Sequence, residues 1–179
     1  MIFVFLAPGF EESEAICPID VLKRAEFDVV TVSITDDREV MGAHGITFKT
    51  DIILSQLPSC HPEAVVLPGG MPGTKNLDAC DELKKMIMKA HDDGALLCAI
   101  CAAPMILGKL GLLEGKKATC YPGFEQYLAG ATVGGRVRTD GNIITACGMG
   151  AAIEFGLAIV EELKGKNESQ KIKDAIMAR

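Results

Sequence analysis

Unbroken apolar runs alternate with amphipathic helical stretches along most of this chain. Three of the runs, Ile2–Ala7, Ala64–Leu67 and Ala95–Ile100, carry no charged residue, which is typical of strands buried on both faces of a parallel sheet. Glu12–Glu26 and Cys80–His91 carry apolar residues at helical spacing. The alternation predicts an α/β fold with a doubly wound, mainly parallel sheet that is covered by helices on both sides.

Shorter segments complete this pattern. Val29–Ile34 predicts a second strand, and Val40–Thr50, which contains two glycines, predicts an irregular hairpin. Arg136–Thr139 and Ile143–Ala146 predict a second hairpin, because an Asp-Gly pair joins them. Pro18 is expected to kink or break the first helix.

Composition narrows the class of protein. The 179 residues predict a single domain over 1–179, and 49% apolar with 23% charged residues is ordinary for a globular protein. A net charge of −6 without a basic block argues against a nucleic-acid partner, and no apolar run is long enough for a membrane span. Seven cysteines, with no export signal at the start, predict reduced thiols in the cytoplasm.

The third apolar run leads directly into candidate chemistry at Cys101. Small residues and then Pro104 follow this cysteine, and proline suits the first turn of a helix. Cys101 is therefore expected at a strand-to-helix turn, where helix N–H groups point at the side chain and lower the pKa of a thiol. Such a turn resembles the nucleophile elbow of hydrolases; the alternative is a small buried core residue.

Two further turns are expected beside Cys101, because ligands bind beyond the carboxyl ends of the strands in such sheets. Glu14 follows the first strand, and burial would raise the pKa of its carboxyl, which then hydrogen-bonds to the sulfur and shuttles a proton. Gly69 and Gly70 end another buried strand, and their backbone N–H groups could form an oxyanion hole with that of Ala102. The alternatives are a helix-capping acid and ordinary turn glycines.

The sequence gives weaker evidence for a redox cysteine pair, a metal site or a dinucleotide-binding turn. Cys98 and Cys101 form a C-x-x-C pair, but three extended residues span roughly 10 Å, which is too far for a disulfide. The three histidines are scattered, so we predict no metal site, and only His44, between two glycines, is expected near the pocket. Gly148–Ile153 lacks the third glycine of a dinucleotide-binding turn. We therefore predict no cofactor.

Four motifs together resemble those of the ThiJ/PfpI superfamily, and most closely the branch that contains the Parkinson-disease-associated protein deglycase. In order along the chain they are Ala7–Glu14, Val65–Gly70, Ala99–Pro104 and Gly150–Leu163. The resemblance covers nearly the whole chain. It implies a flavodoxin-like three-layer α/β sandwich, a homodimer, and cofactor-free glyoxalase, deglycase, chaperone or stress-sensing activity.

The resemblance also implies roles for individual residues. Cys101 corresponds to the reactive cysteine, Glu14 to a protonated carboxyl that is hydrogen-bonded to it, and Gly70 and Ala102 to backbone donors. His44 lies where the family often has a basic pocket residue. Tyr121 stands where many members have a histidine, which argues against a Cys–His pair for amide hydrolysis.

Two functions follow from a Glu14–Cys101 pair. In the first, the thiolate adds to a small carbonyl substrate, such as methylglyoxal, or to a glycated protein, and Glu14 moves the proton. In the second, peroxide oxidises Cys101 to a sulfinate, and the protein acts as an oxidative-stress sensor or a redox-regulated chaperone. A fold with a purely structural role is the remaining alternative.

Overall fold

The computed structural model describes residues 1–178 and contains a seven-stranded sheet between two layers of helices. The strands are β1 Ile2–Leu6, β2 Val29–Ser33, β3 Glu39–Met41, β4 Thr47–Lys49, β5 Ile52–Ile53, β6 Ala64–Leu67, β7 Leu96–Ile100, β8 Lys117–Ala118, β9 Thr132–Val133, β10 Val137–Asp140 and β11 Ile143–Ala146. The helices are α1 Glu12–Arg24, α2 Gly73–Ala79, α3 Asp81–Asp92, α4 Pro104–Lys109, α5 Ala152–Lys164 and α6 Lys166–Ala175.

The main sheet has the strand order β10-β11-β7-β6-β1-β2-β5. Every neighbouring pair is parallel except the β10–β11 hairpin. Two small sheets, β3–β4 and β8–β9, lie outside it. This arrangement confirms the predicted α/β sandwich with a mainly parallel central sheet.

The strands of the main sheet bury both faces. In β1, Ile2, Val4 and Leu6 pack on the side of α1, α5 and α6, which we call the α5 face. Phe3 and Phe5 pack on the side of α2, α3 and α4. Because successive side chains of a strand point in opposite directions, a strand between two helical layers must be apolar throughout.

One local prediction differs from the structure, and two further segments form elements that the sequence pattern does not predict. Helix α1 continues through Pro18 instead of breaking, and Pro18 lies against α5, where a Cβ at Gly156 would come 3.1 Å from the Pro18 Cα. The close packing of the two helices offsets the lost hydrogen bond. Helix α2 was not expected after a Gly/Pro-rich turn, and residues 51–57 form β5 and a single 3₁₀ turn.

The order of the strands determines which loops meet. β11, β7, β6 and β1 are consecutive and parallel, so their carboxyl ends lie side by side at one edge. The loops that follow them bring together residues 7–11, 68–72, 101–103 and 147–151. Within the described residues, no helix combines the length and the apolar character that a membrane crossing requires.

Candidate active site

Cys101 occupies the turn between β7 and α4 in a backbone conformation that is rare for a residue with a side chain. Its φ is 65°, in the left-handed region. Its N–H donates to the carbonyl of Ala146 at 2.9 Å, and its carbonyl accepts from the N–H of Tyr121 at 2.8 Å. Strain of this kind persists where surrounding contacts fix the turn, as in a nucleophile elbow.

Glu14 reaches this turn from the first turn of α1. Its side chain is buried, with 1% of its surface exposed, and it contacts the Cys101 thiol. One carboxyl oxygen accepts from the N–H of Gly69 at 3.0 Å, and the N–H of Met149 also donates to the carboxyl. Glu11 caps the helix by accepting from the Glu14 N–H at 2.6 Å. The carboxyl is therefore held by neutral donors only.

Gly69 and Gly70 allow the loop after β6 to approach both groups. A Cβ at Gly69 would lie 2.5 Å from Oε2 of Glu14 and 2.6 Å from the Cβ of Cys101, so no side chain fits between them. Gly70 has φ +91°, and its N–H and that of Ala102 donate to the Cys101 sulfur. Paired backbone N–H groups of this kind stabilise negative charge that develops on a substrate oxygen.

The two acidic groups influence each other's protonation. Burial raises the pKa of Glu14 to about 7, and the charge of Glu11 adds to the rise, whereas the Cys101 and backbone hydrogen bonds oppose it. Burial, and to a smaller extent the charge of Glu14, raise the pKa of Cys101 to about 12, although its backbone donors act in the opposite direction. This corrects the prediction that the helix N–H groups lower the pKa of this thiol. Once Glu14 is protonated, its charge no longer opposes a thiolate. The two groups therefore titrate as a pair.

His44 lies on the β3–β4 hairpin and contacts a different acid. Its Nδ1 is 2.7 Å from Oε2 of Glu12, and its backbone N–H donates to Oε1 of the same residue at 2.7 Å. One ligand atom each from Glu11, Glu12 and His44 lie within 4.8 Å of one another. The His44–Glu12 hydrogen bonds account for this cluster.

Tyr121 borders the site on the other side. Its ring lies next to Gly148, where a Cβ would be 3.3 Å from Cδ2 of Tyr121 and 3.9 Å from Oε1 of Glu14. A cavity of about 630 Å³ opens beside this ring and is also lined by Cys147 and Met149. The cavity therefore borders the loop whose Met149 N–H donates to the Glu14 carboxyl.

The structure brings Glu14, Gly69, Gly70, Cys101 and Ala102 together, and it places Tyr121 at the edge of this group; their catalytic roles remain predictions. His44 is directed to Glu12 instead of the sulfur.

Sequence analysis did not identify the loop after β11, which supplies Met149 and Cys147. The available signal was the Gly148–Gly150 turn after an apolar strand. It was considered only as a dinucleotide motif.

Comparisons with known proteins agree with this geometry. Protein DJ-1 homolog B of Arabidopsis thaliana is 40% identical over 99% of this chain, and the chain spans only 41% of that relative's length. Glutathione-independent glyoxalase DJR-1.2 of Caenorhabditis elegans is 30% identical over 90% of the chain and 87% of the relative.

A solved structure of oxidized Toxoplasma gondii DJ-1 superposes with a TM-score of 0.94 at 34% identity and covers 98% of this chain and 97% of that one. The sequence model of the DJ-1/PfpI family matches residues 1–162. With most of its length matched and an elbow cysteine beside a buried glutamate, the chain belongs to the DJ-1/PfpI family.

Proposed function

We propose that this protein is a cofactor-independent cysteine enzyme that acts on α-oxoaldehydes such as methylglyoxal, and on amines that these aldehydes have glycated. The observation that carries the proposal is the contact between a buried carboxyl of pKa about 7 and a half-buried thiol. A proton-transfer group is most effective when its pKa lies near the ambient pH. Glu14 meets this condition without a metal or a cofactor.

In the first step, the Cys101 sulfur adds to the aldehyde carbon of the substrate. The S–C bond forms as the thiol proton passes to Glu14, and the carbonyl π electrons move onto oxygen. The N–H groups of Gly70 and Ala102 stabilise this oxyanion. Glu14 then returns the proton to the oxygen, which leaves a hemithioacetal and a carboxylate.

In the second step, the Glu14 carboxylate removes the proton from the former aldehyde carbon and generates an enediolate. A proton moves between its two oxygens, and Glu14 returns the abstracted proton to the former ketone carbon. The product is a thioester of a 2-hydroxy acid. Water cleaves this thioester, so that the acid leaves and the Cys101 thiol is restored.

The name of the C. elegans relative, glutathione-independent glyoxalase, supports this reaction class. For an amine glycated as a hemiaminal, the S–C bond forms at the former aldehyde carbon as its C–N bond breaks, and Glu14 passes the thiol proton to the leaving amine. The resulting hemithioacetal then follows the same path. The open edge beside Tyr121 gives a protein-bound adduct room to enter.

The test is turnover of methylglyoxal to lactate by the wild type and by Cys101→Ser. We expect Cys101→Ser to lose roughly 10³-fold or more in kcat/KM, because the nucleophile is gone. Cys80→Ser is the matched control, since Cys80 is a half-buried thiol at the N-terminus of α3, where serine is a favoured cap. Wild-type turnover in Cys101→Ser would rule out the proposal.

A second candidate function is an oxidative-stress sensor or redox-regulated chaperone. It is favoured by the half-buried sulfur, with two backbone donors available for sulfur-bound oxygens, and by the related Toxoplasma protein, whose structure is described as oxidized. Mild peroxide should then oxidise Cys101 ahead of the other six thiols. Peptide mapping that finds no preference for Cys101 would exclude this function.

We further propose that the chain forms a homodimer in the cytoplasm. Exposed apolar side chains on the β3–β4 hairpin and near the start of α5 support an interface, among them Met41, Ile46, Met149 and Ile153. Light scattering after gel filtration should give twice the chain mass. A monomer at micromolar concentration would contradict the dimer.

A further inference from the structure

Cys101 and Cys147 are neighbours across two parallel strands. Ile100 of β7 and Ala146 of β11 form the last pair of this ladder, and each cysteine is the residue that directly follows it. The hydrogen bond from the Cys101 N–H to the Ala146 carbonyl, 2.9 Å long, continues the ladder to this point. Adjacent strands lie about 4.8 Å apart, and disulfides join Cα atoms separated by roughly 4.4–6.8 Å.

Both thiols also belong to the same side of the sheet. Cys101 and Cys147 are half-buried, and both pack against the core of the α5 face. Cys120 is buried in the core of the opposite face. Cys98 is buried within β7, three residues before Cys101. Of the seven thiols, Cys147 therefore combines the right register, the right face and access to the cavity.

Arg136 lies beside Cys147. The guanidinium of Arg136 forms an ion pair with Glu154 at 3.0 Å, and its pKa is raised mainly by this partner and to a smaller extent by Cys147. The backbone N–H of Cys147 donates to the Arg136 carbonyl at 2.9 Å, which fixes the two residues side by side.

We propose that Cys147 is the resolving thiol of a two-cysteine peroxide-reducing site, in which oxidised Cys101 closes a disulfide to Cys147. This inference rests on the second candidate function, the oxidation of Cys101, and it assigns the product. The peroxide reaction and the proposed aldehyde reaction both use the Cys101 sulfur, but they have no other step in common.

The reaction balances with a hydroperoxide as the oxidant. The Cys101 thiolate attacks one peroxide oxygen, so that an S–O bond forms, the O–O bond breaks and the alcohol leaves after taking up a proton. The Cys147 thiolate then attacks the Cys101 sulfur, and hydroxide leaves as water. Two thiols have become one disulfide, and a dithiol reductant restores them by exchange.

The experiment uses the fully reduced full-length protein and one equivalent of tert-butyl hydroperoxide. After the remaining thiols are blocked with N-ethylmaleimide, intact mass and non-reducing peptide mapping identify the product. The wild type should lose two of its seven free thiols, gain no oxygen, and yield a peptide pair linked through Cys101 and Cys147. Dithiothreitol should reverse the change.

Because a sulfinate consumes two equivalents of hydroperoxide, this comparison uses an excess of about ten equivalents. Cys147→Ser should then give at least roughly tenfold more Cys101 sulfinate than the wild type, because no thiol competes with the second oxidation. Cys120→Ser is the matched control, since this thiol lines the same cavity, and its products should match those of the wild type. Sulfinate on wild-type Cys101 at the level of Cys147→Ser, or a linkage to Cys120, would overturn the inference. Sulfinate on wild-type Cys101 would still be consistent with oxidation of Cys101 as the second candidate function. A Cys101 that does not react with the hydroperoxide would exclude both that function and the disulfide.

Discussion

Glu12 and Glu14 lie two residues apart in the first turn of α1, and both are buried, yet their pKa values move in opposite directions. Burial raises the pKa of each. For Glu12, hydrogen bonds from the ring and backbone of His44 outweigh burial and lower the pKa. For Glu14, the thiol and the backbone donors do not outweigh it, and the pKa rises to about 7. The partner of a buried acid therefore decides its charge.

This contrast distinguishes an acid that binds a neighbouring hairpin from the acid to which we assign proton transfer. Glu12 stays ionised and accepts hydrogen bonds from the β3–β4 hairpin, including the backbone N–H of His44 at 2.7 Å. Glu14 exchanges its proton near neutral pH and contacts the sulfur. A carboxylate in the first helical turn also suits the helix dipole, so sequence position alone does not distinguish the two residues.

The largest expected effect comes from replacing each acid by its amide and measuring methylglyoxal turnover. Glu14→Gln should lower kcat by roughly 10²–10⁴-fold, because glutamine keeps the shape but cannot accept the substrate proton. Glu12→Gln should lower kcat by less than about tenfold, because only charge-assisted hydrogen bonds to the hairpin are weakened.

The ranking of the two variants is the decisive outcome. Equal losses in Glu12→Gln and Glu14→Gln would show that both act through the structure of the helix. Circular dichroism and melting temperatures of both variants would check that each is folded. Full turnover by Glu14→Gln would contradict the assigned proton transfer.

A smaller effect is expected in the pH dependence of stability. Because the folded-state pKa of Glu14 is raised from 4.5 to about 7, its stabilising contribution is complete below pH 4.5 and is lost as the pH rises through 7. At about 1.4 kcal/mol per pKa unit, the wild type should lose about 3 kcal/mol of unfolding free energy from this group by pH 8.

Urea unfolding at pH 5 and pH 8 measures this loss. Part of this contribution is already lost at pH 5, so the unfolding free energy of Glu14→Gln, which cannot titrate, should fall by about 2–3 kcal/mol less than that of the wild type over this interval. If the unfolding free energies of the two proteins changed equally between pH 5 and pH 8, Glu14 would not be buried in its protonated form.

The smallest effect is expected at His44, whose ring is largely exposed and screened by solvent. Its hydrogen bond to Glu12 raises the pKa of His44, so the pair stabilises the fold fully below the ordinary pKa of about 6.5 and less as the pH rises through the raised value. His44→Asn should therefore lower the melting temperature more at pH 6 than at pH 9. If the difference in melting temperature between the variant and the wild type were the same at both pH values, His44 and Glu12 would not form a charged pair.

Much of the fold follows from local sequence patterns. The uncharged runs at β1, β6 and β7 predict the centre of a parallel sheet, and the glycines and the proline around Cys101 predict its turn. Of the kink or break predicted at Pro18, the break is wrong, because packing against Gly156 overrides the local preference of Pro18.

Less of the candidate site than of the fold could be predicted from the sequence. The position of Cys147 beside Cys101 depends on the register of two strands that lie 46 residues apart, which no local pattern contains. The raised pKa of the thiol depends on the depth of its burial and on the charge of Glu14. Likewise, the burial of Glu12 depends on a hairpin more than 25 residues further along the chain.

The assembly of one sheet edge from four separate loops has a consequence for biosynthesis. A ribosome releases Glu14 early, the sulfur of Cys101 much later, and the backbone N–H of Met149 later still. Until β11 docks beside β7, the carboxyl lacks one of its donors, and the thiol lacks its cross-strand neighbour. The proposed active site is thus assembled only when the topology is complete.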